Sequence, residues 1–96
     1  MNKEEIMRNL KELNEEIKKR YKARIEGIFG SYARGEEISG SDLDVLVEFE
    51  EGANLFHLVG ISLFLEEKLH IPVDIVPVDA IREELKGAIL QEAMYL

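Results

Sequence analysis

The chain has 96 residues, is 46% hydrophobic, contains no cysteine, and carries a formal net charge of −8 from 20 acidic and 12 basic residues. That length sustains one small domain over residues 1–96, and the missing cysteines exclude disulfides and thiolate metal sites. The acidic balance weighs against sequence-independent binding of DNA or RNA, which needs clustered Lys and Arg. No apolar run reaches membrane-spanning length, and the charged start Met1-Asn2-Lys3-Glu4-Glu5 is not a signal peptide, so the expected location is the cytoplasm.

Ile6, Leu10, Leu13, Ile17 and Tyr21 recur at spacings of three and four, predicting an amphipathic helix over residues 3–20. On its solvent side Glu15–Lys19 and Glu16–Arg20 are expected as i,i+4 pairs. Arg24–Phe29 reads as a short strand. Residues 31–35 read as one helical turn ended by Gly35, followed by a loop over Glu36–Ser41. Leu43–Phe49 alternates: Leu43, Val45, Val47 and Phe49 face a core beneath helices, while Asp42, Asp44, Leu46 and Glu48 lie on a more open face.

Asn54 is placed to cap a helix running to Leu69, with Leu55, Leu58, Val59, Leu63 and Leu69 as its buried stripe. Val73–Val76 is a third strand held between Pro72 and Pro77, which mark strand ends or a sheet edge. Asp79 is expected to cap a final helix whose inner face is Ile81, Leu85, Ala88 and Ile89. The predicted order is α-β-(turn)-β-α-β-α. His57 is read as a surface residue rather than a metal ligand, and His70 as a residue favourably placed at a helix C-terminus.

The chemistry concentrates in two short segments. Gly30-Ser31 follows directly on an apolar strand, so it forms a tight turn that presents backbone N–H groups and a hydroxyl to an anion. Ten residues later Asp42 and Asp44 stand two apart at a strand entry and therefore share a face. Two carboxylates on one face suit Mg²⁺, which takes one or two carboxylates together with substrate phosphates. Asp74 interrupts an otherwise apolar strand, and it joins that face if its strand neighbours Leu43–Phe49. Ser41 orients the entry to the Asp42 strand. Arg34 either contacts phosphate or pairs with Glu36 or Glu37, and Tyr32 is a packing residue.

Gly30-Ser31-Tyr32-Ala33-Arg34-Gly35, Ser41-Asp42-Leu43-Asp44-Val45-Leu46-Val47 and Val73-Asp74-Ile75 together resemble the minimal nucleotidyltransferases of the DNA polymerase β-like superfamily. The resemblance covers nearly the whole chain, with Glu37 departing from the small apolar residue that many relatives carry. It implies an α+β fold, a small mixed β-sheet with helices packed on one face. It implies transfer of AMP from ATP with two Mg²⁺ ions. Asp42 and Asp44 would hold the metals, Asp74 would be the third carboxylate, and Gly30, Ser31, Arg34 and Ser41 would surround the triphosphate.

Members of this length are similar to the antitoxin halves of toxin–antitoxin pairs, whose partner is a HEPN-domain toxin that receives AMP on a tyrosine. The expected partners are therefore ATP and a HEPN-domain toxin. Two rival functions stand beside this one: a silent subunit that neutralises a toxin by binding alone, and nucleotidyl transfer to a small molecule or an RNA end. Three intact aspartates weigh against the first, and the acidic charge against the second.

Overall fold

A computed structural model describes residues 1–96. Helix α1 spans Lys3–Tyr21, strand β1 Ala23–Phe29, the single turn α2 Ser31–Arg34, strand β2 Leu43–Phe49, and helix α3 Leu55–Leu69. Strand β3 follows over Val73–Pro77, then a 3-10 turn over Val78–Ala80, helix α4 over Glu83–Glu92, and a two-residue strand β4, Met94–Tyr95. The strands form one mixed sheet in the order β3-β2-β1-β4, with β2 parallel to β3 and β1 antiparallel to both β2 and β4.

Each junction has a local cause. Asn2 accepts the backbone N–H of Glu5 and opens α1, whose first turn is acidic and whose last turn is basic, matching the helix dipole. The expected stripe holds: Ile6, Leu10 and Ile17 are fully buried, and Leu13 and Tyr21 pack against the same cluster. Of the two expected surface pairs, Glu16–Arg20 forms at 2.8 Å. Asn54 opens α3 by accepting from the N–H groups of Phe56 and His57, and Nδ1 of His57 returns the favour to the N–H of Asn54 at 2.9 Å. His57 thus completes a capping box. His70 ends α3 in the left-handed conformation, its N–H donating to the carbonyl of Glu66.

Alternation along β2 is as expected on the helix-covered side, with Leu43, Val45 and Val47 fully buried in one cluster with α1 and α3. On the other side Leu46 is also fully buried, so that face is not uniformly open. Strand β1 contains a one-residue bulge at Glu26, where the pairing steps from Ile25↔Val47 to Gly27↔Leu46. Ile25 and Ile28 are three apart, a spacing that puts side chains on opposite faces of an unbroken strand. The bulge restores Ile28 to the core face and brings Phe29 opposite Asp44. The outer edge of β1 is met by Asn14 of α1: its Oδ1 accepts the N–H of Ile25 at 3.0 Å, and its Nδ2 donates to the carbonyl of the same residue at 3.3 Å.

Two expectations are corrected. The buried stripe of α3 is Ile61, Phe64, Leu65 and Leu69; of the expected set only Leu69 is buried, while Leu55 and Leu63 are 71% and 62% exposed. Asp79 does not cap the last helix, because it lies in the 3-10 turn, and α4 starts after Arg82 with no side-chain cap. Helix α4 buries no residue completely; Ile89 is half-buried, and Leu85 and Ala88 are exposed.

Candidate active site

Register brings the carboxylates together. Asp44 pairs with Asp74 across the parallel β2–β3 ladder, so the two side chains are nearest neighbours on one face. Asp42 lies just ahead of the strand, near enough for its charge to act on Asp44. On the opposite flank Asp44 pairs with Phe29, the residue that leads into the Gly30-Ser31 turn. One end of the sheet therefore carries the turn, Asp44 and Asp74 side by side.

The turn and the carboxylate touch. Gly30 has φ +76°, a backbone state L side chains rarely adopt, and a Cβ there would run into the Asp44 carboxylate. Glycine is needed for both reasons: conformation, and an approach that leaves no space for a methyl group. Gly30 is the N-cap of α2, with Ser31 the first helical residue, so Ser31 is presented by the cap rather than capping the turn itself. Gly35 closes α2 in the left-handed conformation. Tyr32 and Ala33 anchor the turn in the core cluster.

The electrostatics of the site are those of uncompensated negative charge. The Asp44 carboxyl is raised above its ordinary pKa, first by partial burial, then by the charges of Asp74 and Asp42; Arg34 opposes the shift and Glu92 adds to it. No group of three or more His, Cys, Asp or Glu side chains is gathered tightly enough to hold a metal ion by itself. Asp44 is half-buried, while Asp42 and Asp74 reach into solvent. A hard divalent cation that arrives with its own phosphate ligands fits this donor set: the carboxylates offer charge without a closed cage, the regime of Mg²⁺.

The remaining expected residues divide. Arg34 makes ion pairs, donating from Nη1 to Glu92 Oε1 at 2.6 Å and from Nε to Glu36 Oε1 at 3.0 Å, while Glu37 is not among its partners. Ser41 closes its own loop: its Oγ accepts the N–H of Ile38 at 2.9 Å, and its N–H donates to the Ile38 carbonyl at 3.0 Å. These bonds hold the loop at the strand entry and leave the Ser41 O–H proton free to donate. Sequence reasoning missed Glu92, which accepts the N–H of Gly30 at 3.0 Å in addition to Arg34. These groups lie about sixty positions apart in the chain, beyond the reach of any local pattern.

A glycine turn set against paired carboxylates at one end of a mixed sheet is a layout suited to phosphoryl transfer. The nucleotidyltransferase domain family matches residues 10–96, and the chain belongs to that family. It is 36% identical over 93 residues to the protein adenylyltransferase MntA of Thermococcus cleftensis, covering 97% of this chain and 94% of that one. A Methanocaldococcus jannaschii chain provisionally assigned as a protein adenylyltransferase is 49% identical over 67 residues, covering 70% and 72%. Among solved structures, one provisionally assigned as a minimal nucleotidyltransferase superposes with a TM-score of 0.84 at 36% identity, covering 100% of this chain and 97% of that chain. A toxin–antitoxin crystal structure with AMP-PNP shares the fold at a TM-score of 0.71 and 19% identity, covering 91% and 71%. The α+β expectation and the nucleotidyltransferase assignment both hold.

Proposed function

We propose that this nucleotidyltransferase moves AMP from ATP onto a tyrosine of a HEPN-domain toxin, and so acts as the antitoxin of a pair in the cytoplasm. The observation that carries the reading is the Asp44–Asp74 pairing beside the Gly30 turn. The identity with a protein adenylyltransferase over nearly the whole of both chains supports protein as the acceptor, and the toxin–antitoxin structures of the same fold support a toxin as that protein. No helix is long and apolar enough to cross a membrane, in keeping with the location.

Asp42, Asp44 and Asp74 would hold two Mg²⁺ ions, which when bound supply charge neutralisation at the triphosphate and lower the pKa of the acceptor hydroxyl. The residues of the chain do the rest. Gly30 and Ser31 offer N–H and hydroxyl donors to the phosphates, and Arg34 adds a cation at their side. Asp74, the more exposed of the paired aspartates, is the group positioned to take the acceptor proton. The acceptor oxygen bonds to the α-phosphorus as the bond to pyrophosphate breaks; the proton leaves through Asp74 to solvent.

Intact-mass spectrometry tests this directly. Incubated with ATP, Mg²⁺ and the product of its neighbouring gene, the chain should add about 329 Da per AMP to that protein. The double variant Asp42→Asn/Asp44→Asn should add nothing. Equal inhibition of the toxin by the double variant, with no change in mass, would replace the enzymatic reading with neutralisation by binding alone.

A further inference from the structure

Glu92 is the last residue of α4, and its side chain is about one-third exposed, at 32%. One of its oxygens, Oε1, takes two donors at once: the N–H of Gly30 at 3.0 Å and Nη1 of Arg34 at 2.6 Å. A backbone N–H at a glycine turn and a guanidinium are the donors a phosphate oxygen seeks. A carboxylate oxygen has the same sign of charge and accepts in the same way. The two cannot share one pair of donors, so a carboxylate of the chain already sits where a phosphate oxygen of the proposed substrate would sit.

The element that carries it is loosely held. Helix α4 has no fully buried residue and no side-chain cap at its start. Beyond it, β4 pairs with β1 only at Gly27↔Tyr95 and Ile28↔Met94, extended by the N–H of Leu96 donating to the Glu26 carbonyl at 3.0 Å. Met94 and Leu96 pack against the core cluster, so α4 is the part of this segment that opens at small cost. Glu92 also brings a further negative charge close to Asp44, so a nucleotide that displaces it relieves repulsion as well as gaining donors.

We infer that Glu92 is an internal competitor for the triphosphate: nucleotide binding expels its carboxylate from Gly30 and Arg34 and loosens the α4–β4 segment. The inference rests on the nucleotide-site reading above. It makes Glu92 a residue that sets nucleotide affinity, holding Arg34 over the turn until a phosphate replaces it.

The test is the affinity of the full chain for Mg·ATP by calorimetry, read for the natural protein, Glu92→Ala, Glu92→Gln and the control Glu83→Ala. Removing the competitor should tighten binding about tenfold, the scale of one charge-assisted hydrogen bond. Glu92→Gln keeps an acceptor oxygen without the charge and should tighten binding less; Glu83→Ala, on the first turn of the same helix, should leave affinity unchanged. Hydrogen exchange gives a second readout: Mg·ATP should speed exchange across residues 83–96 of the natural protein.

If Glu92→Ala binds Mg·ATP equally or more weakly while the natural protein binds it, the inference falls and the nucleotide site stands, because a residue that only orients Arg34 would act in that direction. If no form binds Mg·ATP, the nucleotide site falls and the inference with it. Should Glu92→Ala fail to fold, exchange in the natural protein decides: unchanged or slower exchange at 83–96 overturns the inference.

Discussion

The two faces of the sheet do different work. On one, Ile25 and Ile28 of β1, Leu43, Val45 and Val47 of β2, and Val73 and Ile75 of β3 join α1 and α3 in a cluster with no buried polar side chain. On the other, β2 and β3 present Asp44 and Asp74 with Glu48 beyond, and Leu46 is the one side chain of β2 there that is fully buried. The first face holds the packed core and the second the carboxylates of the candidate site. Because each strand serves both through its period of two, a repulsive carboxylate cluster can be built without placing one charged group in the core.

The separation is sharpest at Asp44. Asp44→Asn should lower AMP transfer about a thousandfold, some 4 kcal/mol of transition-state stabilisation, while urea denaturation shows no loss of stability. A large loss of stability would mean that the two faces are not independent. The converse is Leu65→Ala. Leu65 is fully buried against the sheet, and its truncation should cost about 2–5 kcal/mol of folding free energy, with transfer per folded molecule unchanged at low temperature.

A smaller effect follows from pH. The native state raises the Asp44 pKa, so it binds that proton more tightly than the unfolded chain, and stability falls as pH rises from about 3.9 to the raised native value. Asp44→Asn removes this penalty. Its stability relative to the natural protein should therefore grow through that acid window and stay level above it; a difference that shrinks with rising pH would reverse the assignment. Smallest of all should be Phe56→Ser on the outer side of α3, where the ring is 88% exposed. It should shift folding free energy by no more than about 0.5 kcal/mol in chemical denaturation.

Helix α3 also shows where sequence reading loses its grip. Leu55, Phe56, Leu58, Val59, Ile61, Leu63, Phe64 and Leu65 are apolar around the whole cylinder, so the length of the segment and the Asn54 cap mark a helix while periodicity says nothing of its phase. The inner side was settled by packing on β3 and α1. Strand β2 was legible because its hydrophobes fall on strict alternate positions, and the placement of Asp74 opposite Asp44 because a charge in an otherwise apolar strand marks its outward face. The bulge at Glu26 had one faint sign, a glycine within a strand. The start of α4 had another in Glu83 and Glu84, an acidic first turn that outweighed the lone Asp79. Glu92 had none, because its contacts with Gly30 and Arg34 depend on how the end of the chain returns to the first strand.

That return has a consequence for the growth of the sheet. A strand with free N–H and C=O groups along its rim is a template onto which another chain can add. On the β3 rim, Pro72 precedes the strand, Pro77 ends it, and Asp74 places a charge at its second position. On the β1 rim, the side-chain amide of Asn14 meets both backbone groups of Ile25, and β4 covers Gly27 and Ile28. Gly27 admits that cover only because it lacks a side chain, since a Cβ there would collide with the Met94 carbonyl. One asparagine, one glycine and the two residues of β4 thus occupy backbone groups on the β1 rim that a strand from a neighbouring molecule would use.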